Sequence, residues 1–137
     1  MKMFFDSSAF AKRYVEEEGS EAVERLCCKA TELGLSVICT PEIISALNRR
    51  FREGSLSRSS YQEAKTRLFT EVADAIIVHL VPAVVAEAIK LLEGNAVRAL
   101  DALHVACALQ WKAELFVSSN QRQLNAAKKA GLQTKQA

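Results

Sequence analysis

Apolar residues along this chain fall into two kinds of segment: short continuous runs, and longer stretches in which they return every three or four positions. The first kind predicts buried strands and the second amphipathic helices. Met3-Phe4-Phe5 is a short run and predicts a strand, after which Ser7 or Ser8 caps a helix expected to reach about Glu16. Ser20 is the expected N-cap of a second helix, with Ala22, Val23, Leu26, Cys27 and Ala30 on one face and Gly34 ending it. Leu35 to Cys39 predicts the second strand. Thr40 then caps a helix that Pro41 opens, with Ile44, Leu47 and Phe51 at core spacing and Gly54 at its end.

A further helix is expected from about Ser57 to Ala75, using Tyr61, Ala64, Leu68 and Val72. "IIVHL" predicts the third strand, and Pro82 opens the helix "PAVVAEAIKLLEG". "VRALDALHVACALQWKA" is apolar on almost every side and predicts a central helix. "ELFVS" is the fourth strand and "NQRQLNAAKKAGL" the last helix, with Leu132 to Thr134 as a short edge strand. Strands separated by helices, without hairpin signals, predict an α/β fold with a short parallel sheet between helical layers. In such sheets ligands bind beyond the carboxyl ends of the strands, so polar residues that follow strands are the candidates for chemistry.

Composition narrows this picture modestly. The 137 residues fit one domain, spanning 1–137, and half of them are apolar, enough for a real core. Lys and Arg outnumber Asp and Glu by 18 to 16, which permits an anionic partner without requiring one. Cys27, Cys28, Cys39 and Cys107 lack the spacing of a zinc site and are expected as free, mostly buried thiols, suited to a reducing cytoplasm. The opening apolar run stops at Asp6, too short for a signal peptide, and no stretch is long and uncharged enough for a membrane span. A cytoplasmic protein without a membrane partner is expected.

Four polar residues stand where strands end or helices begin. Asp6 and Glu42 each have an ordinary explanation, since a carboxylate in a helix's first turn meets the positive end of its dipole. Asp101 is harder to explain, because from Ala99 to Leu109 every other side chain except His104 is apolar. A buried carboxylate needs a partner, and the candidates are an ion pair with Arg98, a hydrogen bond from His104, or a metal. Asn120 is a good N-cap and also carries an amide oxygen able to ligate a hard cation. Taken together, side chains 6, 42, 101 and 120 are expected to crowd one edge of the sheet, where Mg²⁺ or Mn²⁺ would make their company tolerable.

The segments "FFDSSAFAKRYVEEEGS", "PEIISALNRR", "RALDALHVACAL" and "LFVSSNQRQLNAAKKAGL", in this order, resemble the PIN-domain ribonucleases, especially the VapC-type toxins of toxin-antitoxin pairs. The resemblance implies a three-layer α/β/α sandwich and a magnesium- or manganese-dependent endoribonuclease. Asp6, Glu42 and Asp101 match the first three acidic ligands, Ser8 the hydroxyl that supports the first acid, and Ser118 the hydroxyl before the fourth. Asn120 stands where that fourth Asp is expected, so the site has three formal negative charges rather than four. The resemblance further implies an RNA substrate, a small antitoxin partner and a homodimer.

Lys12, Arg13, Arg49, Arg50 and Arg122 are the nearest candidates in sequence for phosphate contacts, each equally explained as a solvated face. The helix around Tyr61, Leu68 and Phe69 is either a partner surface or, by default, core packing. The alternative function is a PIN-like domain weakened in catalysis by Asn120 and acting through RNA or antitoxin binding. A phospho-acceptor chemistry on Asp6 is disfavoured, since Ser8 occupies the position where such enzymes of the haloacid dehalogenase type carry a second Asp.

Overall fold

A computed structural model of the protein describes residues 1–137. In chain order it runs β1 (Lys2–Phe5), α1 (Ser7–Phe10) tightening into a 3₁₀ turn (Ala11–Arg13), α2 (Ser20–Lys29), β2 (Glu32–Ser36), α3 (Cys39–Arg52) and α4 (Arg58–Ala73). It continues with β3 (Ile76–Val78), α5 (Pro82–Gly94), α6 (Ala99–Trp111), β4 (Leu115–Ser118), α7 (Gln121–Lys129) and β5 (Thr134–Gln136). All strand pairs are parallel, in the order β3-β2-β1-β4-β5.

Side-chain alternation in the central strand divides the core. Met3 and Phe5 face a cluster built with Phe10, Val23, Leu35, Ile43, Leu47 and Leu68, whereas Phe4 faces one built with Val84, Ala88, Val105, Phe116 and Leu124. The first cluster is covered by α1 to α4 and the second by α5 to α7, giving the expected three layers. Leu68 is fully buried and Tyr61 packs against the first cluster, so α4 is a core helix as the default reading had it, with Phe69 alone turned outward.

The largest departure from expectation lies between α2 and α3. Gly34 does not end a helix; it sits inside β2, three residues earlier than the strand was expected, and α2 ends at Lys29 where Ala30 turns to extended backbone. Packing is the reason. The Trp111 ring of α6 lies on Gly34, and a Cβ there would come within 2.6 Å of it. On Trp111 itself, the Lys2 ammonium stands 4.4 Å from the ring centroid and donates to the Trp111 carbonyl at 2.8 Å.

Other shifts are local. The first helix ends well before Glu16 because Tyr14 N bonds back to the Ala11 carbonyl and closes a 3₁₀ turn. Gly19, left-handed at φ 94°, takes the cap position of α2, and the Ser20 hydroxyl accepts from Glu17 N instead. Helix α3 starts at Cys39, so Thr40 and Pro41 lie in its first turn, where Pro is tolerated. The edge strand β5 forms two residues later than expected, and β3 stops at Val78.

All four cysteines are free. Burial pushes the Cys39 thiol up to about 12 and that of Cys27 up to about 11, so both stay protonated. No helix is long and apolar enough to cross a membrane.

The close seat of Trp111 on Gly34 is testable. Gly34→Ala is expected to destabilise the fold by about 1–3 kcal/mol, because neither a strand backbone nor an indole ring yields easily. Urea unfolding monitored by tryptophan fluorescence should show a lower midpoint with an unchanged slope.

Candidate functional site

The strand order reverses direction between β1 and β4, and this switch point opens a crevice beyond their carboxyl ends. Asp6 stands there. Its backbone N–H extends the β1–β4 ladder by donating to the Val117 carbonyl at 3.1 Å, and its side chain is 2 % exposed. Burial without partners would be prohibitive, and four contacts answer it. Ala9 N donates to Oδ1 at 3.0 Å, capping α1; Ser8 Oγ lies 2.9 Å from Oδ1 and 2.7 Å from Oδ2; Ser118 Oγ lies 3.0 Å from Oδ2. Both hydroxyls thus reach the Asp6 carboxylate, Ser8 from the next turn and Ser118 from the end of β4.

Burial lifts the Asp6 carboxyl above its usual range, against lowering by the charge of His104 and by the hydrogen bonds from Ala9, Ser8 and Ser118. Glu42, in the first turn of α3, shows the opposite balance. Burial pushes it up, but hydrogen bonds from His104 and Ser7, with the His104 charge, hold it below its usual range. Ser7 Oγ donates to Glu42 Oε1 at 2.6 Å, and His104 Nε2 stands 2.6 Å from the same oxygen. His104 thus partners Glu42, not Asp101 as its spacing on α6 suggested.

Asp101 is half-buried rather than enclosed, and lines an open cleft of about 640 Å³ with Arg98, Asn120 and Arg122. It forms no ion pair with Arg98. Burial raises its carboxyl, helped by the Glu42 charge, while His104 and Arg98 lower it. Asn120 caps α7, its Oδ1 accepting from Gln123 N at 3.1 Å.

The four polar residues singled out in the sequence therefore reach one edge of the sheet. Their crowding is partial, since no three His, Cys, Asp or Glu side chains are grouped closely enough to hold an ion between them as they stand. The donor chemistry is nonetheless that of a hard cation. Carboxylate and amide oxygens make up the set, the one thiol beside it, Cys39, is kept protonated by burial, and burial opposes the negative charge of Asp6 and Asp101.

Of the basic residues, Arg122 lines the Asp101 cleft, and Lys12, Arg49 and Arg50 line a groove of about 310 Å³ beside Ser8 and Ser119. Arg50 also pairs with Glu17 at 3.5 Å, and Lys12 Nζ donates to the Glu18 carbonyl. Arg13 is different. Its guanidinium is held by Glu24 at 3.1 Å and Glu71 at 2.6 Å, with Arg67 contacting both acids, so it ties α2 to α4 and is not free for a phosphate.

Two residues of the site escaped sequence reasoning. Ser7 is hidden in a serine doublet whose second member has the evident role. Gln123 is fully buried, accepts from Ser118 Oγ at 2.8 Å and donates to the Asp101 carbonyl at 3.0 Å. Its place three residues after the Asn120 cap, where a capping box carries Gln or Glu, was the available signal.

The model of the PIN domain family matches residues 3–129, and the chain belongs to that family. It is 33% identical over 108 residues to Ribonuclease VapC3 of Pyrobaculum aerophilum, covering 79% of this chain and 82% of that protein. Among solved structures, VapC20 of Mycobacterium tuberculosis, described as a sarcin-ricin loop cleaving toxin, superposes with a TM-score of 0.70 at 16% identity, over 95% of both chains. VapBC2 from Rickettsia felis, bound to a DNA fragment from its promoter, gives 0.71 at 12% identity, over 100% of this chain and 99% of that one. These likenesses at low identity establish the fold.

The raised Asp6 carboxyl sets a pH dependence. The folded protein keeps this proton to higher pH than the unfolded chain does, so between the ordinary value of 3.8 and the raised one stability falls as pH rises. In chelator-treated protein, Asp6→Asn is expected to melt above the wild type at neutral pH. The two melting curves should converge as the pH falls toward 3.8.

Proposed function

We propose that this chain is a divalent-metal-dependent endoribonuclease, the toxin of a toxin-antitoxin pair. The observation that carries the reading is the hydrogen-bonded, buried Asp6 at the switch point, with Glu42 and Asp101 on the same sheet edge of a PIN-family chain. The ribonuclease name of the Pyrobaculum relative supports the substrate class.

Asp6, Asp101 and Glu42 are the residues that would hold Mg²⁺ or Mn²⁺, with Asn120 offering only a neutral oxygen. The bound cation supplies an acidified water and screens charge on the phosphodiester. Glu42 keeps its carboxylate ionised to low pH through Ser7 and His104, and in that form orients the attacking water and accepts its proton. Ser8 and Ser118 hold the Asp6 carboxylate still. Arg122 and its neighbour Arg98 flank the cleft at Asp101 and would contact phosphate, with Lys12, Arg49 and Arg50 lining the groove on the Ser8 side. Nothing in this arrangement requires a covalent intermediate.

A second reading, a PIN domain that binds RNA or antitoxin with little catalysis, is favoured by two observations: Asn at the fourth position, and the incomplete grouping of the acids. One assay separates the two. With Mn²⁺ and a structured RNA, wild type is expected to cut, Asp6→Asn and Asp101→Asn to lose roughly 10²-fold or more in rate, and Asn120→Asp to gain. If wild type leaves every RNA intact while Asn120→Asp cleaves, the binding reading replaces the nuclease one.

The partners we propose are a small antitoxin and a second copy of this chain, in the cytoplasm. The dimer reading is supported by Val81, Val85, Ile89 and Leu92, exposed along one side of α5, and Leu100 of α6. Ile89→Asp is expected to shift the sedimentation of the purified protein from dimer to monomer, with its melting temperature nearly unchanged.

A further inference from the structure

The two oxygens of Glu42 are not equivalent. Oε1 receives Ser7 Oγ and His104 Nε2, each at 2.6 Å, whereas Oε2 has no partner in the protein and is open to solvent. Ser7 Oγ and His104 Nε2 are themselves 3.1 Å apart, so the three atoms close a triangle. Its corners come from three segments: Ser7 follows Asp6, Glu42 opens α3, and His104 lies one turn beyond Asp101 on α6.

His104 is 1 % exposed on a helix otherwise lined with alanine, valine, leucine and cysteine at its buried face, and an imidazole placed there needs a reason. A hydrolytic Ser-His-acid relay is not that reason. In a relay the ring bridges its partners through both nitrogens, whereas here Ser7 and Glu42 both meet Nε2, and Nδ1 is buried without any partner. A carboxylate only accepts, so Nε2 carries a proton and donates it to Glu42 Oε1, while Nδ1 faces the interior without a partner.

We propose that His104 is a positioning residue. With Ser7 it pins Glu42 Oε1 so that Oε2 alone is presented to the divalent cation or to its water. The proposal rests on the metal-dependent reading of the site. A glutamate has three rotatable bonds, and without the buried donor behind it the carboxylate would wander between the cleft and solvent. Loss of a partner of this kind behind a metal-facing ligand typically weakens metal affinity by roughly 10–100-fold.

The test uses the full chain. Calorimetric titration with Mn²⁺ is expected to show His104→Leu binding on the order of 10–100-fold more weakly than wild type, with His104→Gln, which keeps a donor, recovering most of the loss. Ser7→Ala, which leaves the core untouched, should weaken binding by a few-fold. Thermal melts in chelator identify any variant that fails to fold. If the folded Leu and Gln variants both bind Mn²⁺ like wild type, His104 is a packing residue and the proposal is overturned. Nitrogen-15 spectra of the metal-free protein read the positioning separately: a protonated Nε2 is expected, and a ring protonated on Nδ1 alone defeats the proposal. Wild type that binds no Mn²⁺ would remove the metal reading, and the tautomer would still decide whether His104 holds Glu42.

Discussion

A carboxylate removed from water at the point where the sheet reverses its winding is the constraint around which this molecule is arranged. Asp6 cannot be there cheaply. The strand that carries it must end in time for α1 to be capped by its side chain, β4 must deliver a hydroxyl at Ser118, and Ser8 must turn back across both oxygens. Each of these requirements fixes a register. β1 lies between β2 and β4, Phe4 and Phe5 anchor it in opposite cores, and the position just past Phe5 is thereby held by nearly everything else in the fold. That rigidity makes the unfavourable burial of one acid sustainable.

The layer architecture was legible because strand and helix signals here are strong and alternate cleanly. The short runs around Phe4, Ile77 and Phe116 are strands, and the near-uniform apolarity of α6 does mark a central helix. Glycine as punctuation held at Gly54 and Gly131, which follow the ends of α3 and α7 with positive φ, and failed at one position. Gly34 looks like a helix stop, yet it belongs to β2 because a tryptophan seventy-odd residues away lies across it. Local sequence carries no sign of such a contact. Arg13 failed for a similar reason: proximity to Asp6 in sequence suggested a shared surface, whereas its true neighbours, Glu24 and Glu71, are brought by α2 and α4.

The site itself was half legible. Positions after strands and at helix starts pointed to Asp6, Glu42 and Asn120, and a lone carboxylate in an apolar helix pointed to Asp101. The network behind them was not, since Ser7, Gln123 and the orientation of His104 depend on which side chains face each other across layers. The same network explains why Glu42 and Asp6 differ in acidity although burial pushes both carboxyls up. Glu42 meets an imidazole as well as a hydroxyl, and Asp6 meets hydroxyls and one amide at closer to complete burial.

Ser118 has one proton and two takers, Asp6 Oδ2 and Gln123 Oε1, while its own oxygen accepts from Asn120 N at 2.9 Å. It cannot satisfy both at once. A negative Asp6 draws the hydroxyl toward itself and leaves the amide oxygen of Gln123 without its donor; a neutral Asp6 releases it. Because Gln123 also donates to the Asp101 carbonyl, a single rotatable O–H bond stands between the carboxylate at the end of the first strand and the start of α6. The two halves of the acidic edge are thus links of one hydrogen-bond chain, hinged at Ser118.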